Sequence, residues 1–325
     1  MLVVTGAAGF IGSNLVRALN AKGHSDLLLV DIHRHTSNLE GCTFADFLSK
    51  EQFEKLLVSG KLRIPPVAIL HQGACADTLN EDEAFLFRNN FHFSKLLLEF
   101  ALAERIPFIY ASSAAVYGNS GSFSESPANE KPLNSYARSK LALDDLVKTM
   151  LPHITSTVVG LRYFNVYGPN ERSKGRMASA IYQFYRQIEE TALASLFEGS
   201  GGFSSGEQRR DFVFAGDVVK VNLFFLEHPA RGIFNVGTGR GRSFNDAARI
   251  LIRLMGKGQI RYIPFIPGLR EKYQSFTEAP IDQLRQCGYA EEFTSLEEGI
   301  TQSLQFWRQE KPQPAGLEAN HEFAG

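Results

Sequence analysis

The segment Val3-Val4-Thr5-Gly6-Ala7-Ala8-Gly9-Phe10-Ile11-Gly12 constrains this chain most. A short apolar strand runs into glycines spaced G-x-x-G-x-x-G and then into an amphipathic helix. Each glycine meets a separate need: Gly6 permits the tight turn, Gly9 lets backbone approach a pyrophosphate, and Gly12 lets the helix pack against the strand. The N-terminal N–H groups of that helix then face the anion. A second apolar strand, Leu27-Leu28-Leu29-Val30, ends in Asp31 at about the distance beyond Gly12 where a ribose-binding carboxylate is expected. Plain strand-to-helix turns also contain glycines, but here strand, glycines, helix, strand and acid fall in order. The chain is expected to bind a dinucleotide at its start.

Strand-like apolar runs recur at 2–5, 27–31, 68–72, 108–112 and 156–162, separated by helical patterns such as 89–102 and 139–151. This alternation predicts an α/β fold with a Rossmann, doubly wound parallel sheet. The C-terminal strand ends carry Gly6, Asp31, Gly73, Ser112, Ser113 and the run from Arg162 to Asn165, which should ring one crevice. Beyond Asn165 the pattern loosens into loops around a helix at 177–190. A dinucleotide-binding domain is therefore expected over 1–165, and a smaller, interleaved C-terminal substrate domain over 166–310. Strand 211–214 with helix 217–227, and then 233–236, are expected to return to the sheet, assigning 211–239 to the first domain. Residues 311–325 read as a disordered tail.

A formal net charge of -1 over 325 residues argues against a nucleic-acid partner. No run reaches the roughly 20 apolar residues of a membrane span, and a strand beginning at residue 2 leaves no room for a signal peptide. A cytoplasmic location without membrane attachment is the expectation. Cys42, Cys75 and Cys287 lack C-x-x-C pairing and read as free thiols, and the histidines lack ligand spacing, so no metal is expected.

Tyr136 and Lys140 stand four residues apart at the start of a helix, so both emerge on one face a turn apart. An adjacent ammonium and the positive ring of an oxidised nicotinamide both favour phenolate, which equips Tyr136 to take an alcohol proton near neutral pH. Ser112 or Ser113, on the preceding strand end, could hold the reacting hydroxyl. Y-x-x-x-K alone is common on helix surfaces; its place after a nucleotide fingerprint and a Ser-Ser strand end is what points to catalysis.

Together these pieces resemble the extended short-chain dehydrogenase/reductase family, from Thr5 to about Trp307. Phe108-Ile-Tyr-Ala-Ser-Ser-Ala-Ala-Val-Tyr-Gly118 and Arg162-Tyr-Phe-Asn-Val-Tyr-Gly-Pro169 are similar to segments shared widely among its nucleotide-sugar epimerases and dehydratases. Lys174-Gly-Arg-Met-Ala-Ser179, Leu196-Phe-Glu-Gly-Ser200 and Tyr273-Gln-Ser-Phe-Thr277 look more narrowly like the members that invert C6″ of an ADP-linked heptose. The resemblance implies interconversion of ADP-D-glycero-β-D-manno-heptose and its L-glycero epimer, supplying the lipopolysaccharide core. The implied route is transient hydride transfer to a tightly bound NADP⁺ through a 6″-ketone, with no net redox change.

Matching positions imply Tyr136 and Lys174 as an acid/base pair, Lys140 as cofactor binder and phenol activator, and Ser113 beside them. Implied cofactor contacts are Gly6, Gly9, Phe10, Ile11, Gly12, Asp31, Ile32 and Arg34, then Lys50, Gln72, Gly73, Ala74, Cys75, Ala76 and Asn89, with Val166, Lys140 and Lys174. Implied substrate contacts are Asn165, Phe197, Glu198, Gly199, Ser200, Arg210 and Tyr273. Arg210 and the Gly199-Ser200 turn suit a diphosphate, through forked donors and backbone N–H groups respectively.

Departures from the family pattern accompany the match. Ile32 replaces a usual asparagine, Arg176 and Gln183 stand where a serine and a histidine contact substrate, and 201–208 carries a short insertion. Asp31 welcomes a ribose 2′-OH, which favours NAD, whereas His33, Arg34 and His35 could hold a 2′-phosphate; the resemblance favours NADP. It also implies a homo-oligomer, a ring such as a pentamer. Two competing readings are another nucleotide-sugar 4-epimerase or dehydratase, and a non-catalytic dinucleotide-sensing protein. Lys174 and the segment from Phe197 to Ser200 speak against the first, and the surviving tyrosine, lysine and serine against the second.

Overall fold

Among the described residues, the computed structural model has the strands β1 (Leu2–Thr5), β2 (Leu27–Asp31), β3 (Asp46–Ser49), β4 (Ala68–His71), β5 (Phe108–Ser113), β6 (Val158–Tyr163), β7 (Asn165–Tyr167), β8 (Leu193–Phe197), β9 (Arg209–Phe214), β10 (Arg231–Val236), β11 (Gly241–Ser243) and β12 (Gln259–Ile263). The structure describes residues 1–32, 37–62, 65–266, 270 and 273–310. The tail expectation for 311–325 falls outside them.

Seven strands form one sheet in the order β10-β6-β5-β4-β1-β2-β3, and every pairing in it is parallel. Such a sheet is covered on both faces, which is why β1, β4 and β6 are buried along their whole lengths and read as continuous apolar runs. One face packs Leu15, Val16 and Leu19 of the helix Phe10–Ala21 and Val218, Val221 and Phe225 of the helix Ala215–Glu227. The other packs Leu97, Leu98 and Ala101 of the helix Phe93–Glu104 with Leu143 and Val147 of the helix Ser135–Met150. Strand order reverses between β1 and β4, so a crevice opens at their C-terminal ends, the place where open α/β sheets bind ligands.

β3 was not legible as a strand. It lies at the sheet edge and buries only Phe47, so it presents no apolar run. The expectation for 211–214 also needs correcting. β10 and the helix Ala215–Glu227 do join the seven-stranded assembly, but β9 pairs parallel with β7 and antiparallel with β11 in a separate three-stranded sheet. Alternation explains this: Val213 faces the main core while Phe212 and Phe214 face a second one.

That second core joins Tyr167, Ile181, Phe184, Ile188, Leu196, Leu251, Ile300 and Trp307. It is built from the helices Ala180–Thr191, Phe244–Met255 and Leu296–Trp307 around β9 and the parallel pair β8 and β12. Among the described residues no helix is long and apolar enough to cross a membrane.

Candidate active site

The glycine-rich turn follows β1 directly. Gly6 has φ +64°, and a Cβ there would lie 2.6 Å from the backbone nitrogen of Gly73, so β1 and β4 meet at their C-terminal ends with no room for a side chain. A Cβ on Gly12 would lie 2.0 Å from the Gly6 carbonyl oxygen. The helix Phe10–Ala21 starts at Gly9 without a side-chain cap. Close backbone and an uncapped helix N-terminus fit a dinucleotide pyrophosphate. Gly12→Ala is expected to force helix and strand apart, lowering stability by about 1–3 kcal/mol as an overpacked contact and abolishing dinucleotide retention. A urea titration and the absorbance of released dinucleotide check both.

Asp31 ends β2 half-buried, with Oδ2 accepting from Ala8 N (2.8 Å) and Oδ1 from Ile32 N (2.7 Å). Ile32 is exposed, and His33, Arg34 and His35 lie outside the described residues. Lys50, at the start of the helix after β3, donates to Asn89 Oδ1 and sits 5.1 Å from the centre of the Phe93 ring. Gln72 is held by side chains on both ends: Tyr163 OH donates to its Oε1 and its Nε2 donates to Asn222.

The loop Gly73 to Ala76 is held by a residue that sequence reading passed over. Asn90 Oδ1 accepts from Cys75 N (2.8 Å), while Nδ2 donates to Cys75 O and to Ser139 Oγ (both 3.0 Å). Ser139 Oγ in turn donates to Tyr136 O (2.7 Å). Asn90 thus fastens the loop after β4 to the helix bearing the candidate tyrosine. It lies within the π-helical stretch Phe87–His92, a local widening often found at functional sites.

The helix Ser135–Met150 is capped by Asn134, whose side chain accepts from Ala137 N, and this cap sets Tyr136 in the first turn. Tyr136, Lys140 and Asp144 follow at four-residue intervals on one face. Lys140 is buried and donates to Ala111 O (3.0 Å) on β5. Burial lowers its pKa to about 8, with Asp144 and Cys75 pulling the other way.

Burial also pushes the Tyr136 phenol above its ordinary value, and a hydrogen bond with the Ser113 side chain pulls it part of the way back. The net shift is upward, with Cys75 adding to it, opposite to the direction that the Tyr136–Lys140 spacing alone suggests. The two serines also separate. Ser113 faces Tyr136, whereas Ser112 Oγ donates to Asp144 Oδ2 (2.9 Å) in the core.

Asp144 anchors a buried network. Tyr110 OH donates to Oδ1 (2.9 Å) and Arg162 Nε to Oδ2 (2.8 Å). Arg162, itself fully buried, also donates to Tyr117 OH (3.0 Å) and to Glu130. Tyr117 passes the chain to Asn235 on β10 (2.7 Å). The network thereby locks the tyrosine helix to β5, β6 and β10.

Lys174 approaches from the loop after β7. Its Nζ lies 5.4 Å from the centre of the Phe10 ring, at the glycine-rich turn, and burial lowers its pKa against the opposing charge of Glu171. Two of the departures from the family pattern are engaged locally. Arg176 forms an ion pair with Asp77 (2.6 Å), and Gln183 Nε2 donates to Gly175 O (2.9 Å).

A second cluster lies beside β8 and β9. Arg210 is buried with its guanidinium carbon 5.0 Å from the Tyr273 ring centre and 5.4 Å from that of Phe244. Phe197 stacks on Phe265 at 4.6 Å and meets Tyr273 edge-on. Ser200 Oγ pairs with Ser275 Oγ (2.9 Å), and Gln208 Nε2 bridges Ser200 Oγ and the Glu198 carbonyl. Phe197, Glu198, Gly199, Ser200, Arg210 and Tyr273 therefore come together. Phe265 joins them unforeseen, its only sequence signal being an aromatic just beyond β12. Asn165 is exposed on β7 and accepts from Thr277 Oγ1 (3.3 Å); Val166 packs against the main core.

A protein of Alkalilimnicola ehrlichii named ADP-L-glycero-D-manno-heptose-6-epimerase is 47% identical over 308 residues, which is 94% of this chain and 96% of that protein. The solved Helicobacter pylori ADP-L-glycero-D-manno-heptose-6-epimerase is 30% identical with a TM-score of 0.82, over 95% of this chain and 96% of that one. A UDP-glucose 4-epimerase of Thermotoga maritima, solved with UDP-glucose, gives 27% identity and a TM-score of 0.79, over 94% and 98%. The model of one family matches residues 2–237, the stretch from the glycine-rich turn through β10. This chain belongs to the NAD dependent epimerase/dehydratase family.

Proposed function

We propose that this protein inverts C6″ of ADP-D-glycero-β-D-manno-heptose to give the L-glycero epimer, with NADP as its resident cofactor. What supports the reading is that two candidate proton-handling side chains come from separate elements near the C-terminal ends of the central strands. Tyr136 lies beside Ser113 at the end of β5, and Lys174 lies over Phe10 after β1. The 47% identity to an enzyme named for this reaction supports the substrate.

The C6″ hydrogen is not acidic, so a base alone cannot remove it. When bound, the dinucleotide supplies reversible removal of hydride from C6″, leaving a 6″-ketone that can be reduced on its other face. The side chains do the rest. Ser113 holds the C6″ oxygen and Tyr136 takes its proton. Lys140 binds the cofactor and keeps a positive charge near the phenol. Burial pushes the Tyr136 phenol up, and a cation alongside it in the loaded site would favour the phenolate. Inversion demands proton transfer in two substrate orientations, and Lys174 serves the one that Tyr136 cannot reach. Arg210, the Gly199-Ser200 turn and the Phe197, Phe265 and Tyr273 rings bind the ADP portion, the arginine through its forked donors.

The choice of NADP rests on the family resemblance, and it is made against Asp31, whose carboxylate favours a ribose 2′-OH. Each of its oxygens accepts one backbone N–H, and a carboxylate oxygen has a second lone pair suited to a ribose hydroxyl. The reading also entails a homo-oligomer and a cytoplasmic location. Purified protein incubated with ADP-D-glycero-β-D-manno-heptose is expected to change the epimer ratio on chromatography while no reduced cofactor accumulates. Substrate returned unchanged by protein that carries its dinucleotide would overturn the proposed sugar.

A further inference from the structure

Glu171 has no part in the proton steps above, yet its carboxylate is wholly buried beside the loop that carries Lys174. Oε1 accepts from Gly168 N (2.7 Å) and Ser179 Oγ (3.1 Å), and Oε2 accepts from Ser179 N (2.6 Å). Gly168 follows β7, and Ser179 caps the helix Ala180–Thr191. One side chain therefore ties together the two ends of the segment 169–178. Its own carbonyl accepts from Lys174 N (2.9 Å), which sets the first turn of the loop.

The loop is also fastened to the cofactor turn. Asn14 Nδ2 donates to Pro169 O (2.9 Å) and Asn170 Nδ2 to Ser13 Oγ (2.9 Å), both reaching the helix that begins at Phe10. Asn38 Nδ2 bridges Ala8 O (3.0 Å) and Ser173 Oγ (3.1 Å). With one arm of the loop bolted down, the placement of Lys174 depends on how the other arm is drawn in, and the Glu171 carboxylate does that. An ionised carboxylate offers acceptors alone and meets all three donors; an amide would turn N–H groups toward at least one of them. The arrangement carries a cost, because burial pushes Glu171 up to about 7 against its backbone donors and the Lys174 charge. A fold that needed only a helix cap would have one in Ser179, whose Oγ already accepts from Tyr182 N (3.2 Å).

We propose that Glu171 is a positioning residue for Lys174: by clamping Gly168 to Ser179 it holds the Lys174 ammonium over Phe10 at the glycine-rich turn. The proposal rests on Lys174 being the second acid/base group.

The test is a double-mutant cycle on the full chain with bound cofactor, reading kcat and KM of epimerisation for the unmodified protein, Glu171→Gln, Lys174→Ala and the double variant. Glu171→Gln is expected to lower kcat roughly 10- to 100-fold, the penalty of a misplaced group, with KM changed less than about threefold. In the Lys174→Ala background the same change should cost less than about twofold, because the group it positions is gone. A Glu171→Gln variant within about twofold of unmodified kcat, or one that loses the same factor in both backgrounds, overturns the positioning role. If Lys174→Ala keeps full kcat, the acid/base assignment falls and takes this proposal with it, an outcome distinct from the additive one. Should Glu171→Gln fail to fold, Ser179→Ala removes one of the three donors and enters the same cycle. A loss of about threefold that vanishes without Lys174 sustains the proposal, and an equal loss in both backgrounds overturns it.

Discussion

Replacing Tyr136 with phenylalanine is expected to lower the epimerisation rate about 10²- to 10⁴-fold, the usual contribution of a positioned acid/base group, while fold and dinucleotide content stay unchanged. The phenol contributes one oxygen, and its described polar partner is the Ser113 side chain. Losing that bond removes a proton carrier from the crevice without opening a cavity. The helix keeps its Asn134 cap, and Ser139 still bonds to the backbone carbonyl of residue 136. A single-turnover assay on dinucleotide-loaded protein, with the thermal midpoint measured alongside, separates the two effects. A variant within about tenfold of the parent rate would contradict the role given to Tyr136.

Asp144→Ala should produce the largest loss of stability among single changes near the site, about 3–5 kcal/mol, because it leaves the buried Arg162 charge short of a partner. Arg162 and Asp144 are both fully buried, and Glu130 can offset the guanidinium only in part. The change also strands the Tyr110 and Ser112 hydroxyls, each of which now donates to Asp144. A second consequence reaches the chemistry. Asp144 is the largest influence holding the Lys140 pKa up against burial, so without it Lys140 gives up its proton more readily and the positive charge near Tyr136 weakens. Urea unfolding gives the stability change. A loss below about 1 kcal/mol, typical of an exposed pair, would contradict the picture of a dry, mutually dependent network.

The parts of this molecule that sequence reveals are those in which one short segment meets its whole requirement. The glycine-rich turn is such a case, since Gly6 and Gly12 are demanded by contacts that sequence spacing already implies. Tyr136 and Lys140 are another, because helical period alone puts them on one face. The three-stranded sheet was hidden because β7 and β9 are distant in sequence and each is half-polar, so nothing local tells β9 which sheet to join. Asn90 was passed over because its neighbour Asn89 matched a family position, whereas its own partners, Cys75 and Ser139, come together only in the folded chain.

Buried charge is hidden for a similar reason. Asp144, Arg162 and Glu171 sit in segments that read as an ordinary helix, strand and loop, and sequence gives charged residues the presumption of exposure. Only the packing reveals that each is enclosed and fully bonded. The Tyr136 phenol makes the same point for electrostatics. Spacing places a lysine one turn away, but the depth of burial decides the sign of the shift, and depth is a property of the whole fold.

The central claim is that hydride leaves C6″ of the ADP-heptose and returns to the same carbon on the other face. It is tested most directly by converting substrate deuterated at C6″ in ordinary water and reading the label in the product by NMR. The account predicts L-glycero product with deuterium still at C6″ and no solvent hydrogen at that position. Product carrying a solvent-derived hydrogen at C6″ would contradict it, because the inversion would then proceed by deprotonation rather than by hydride transfer.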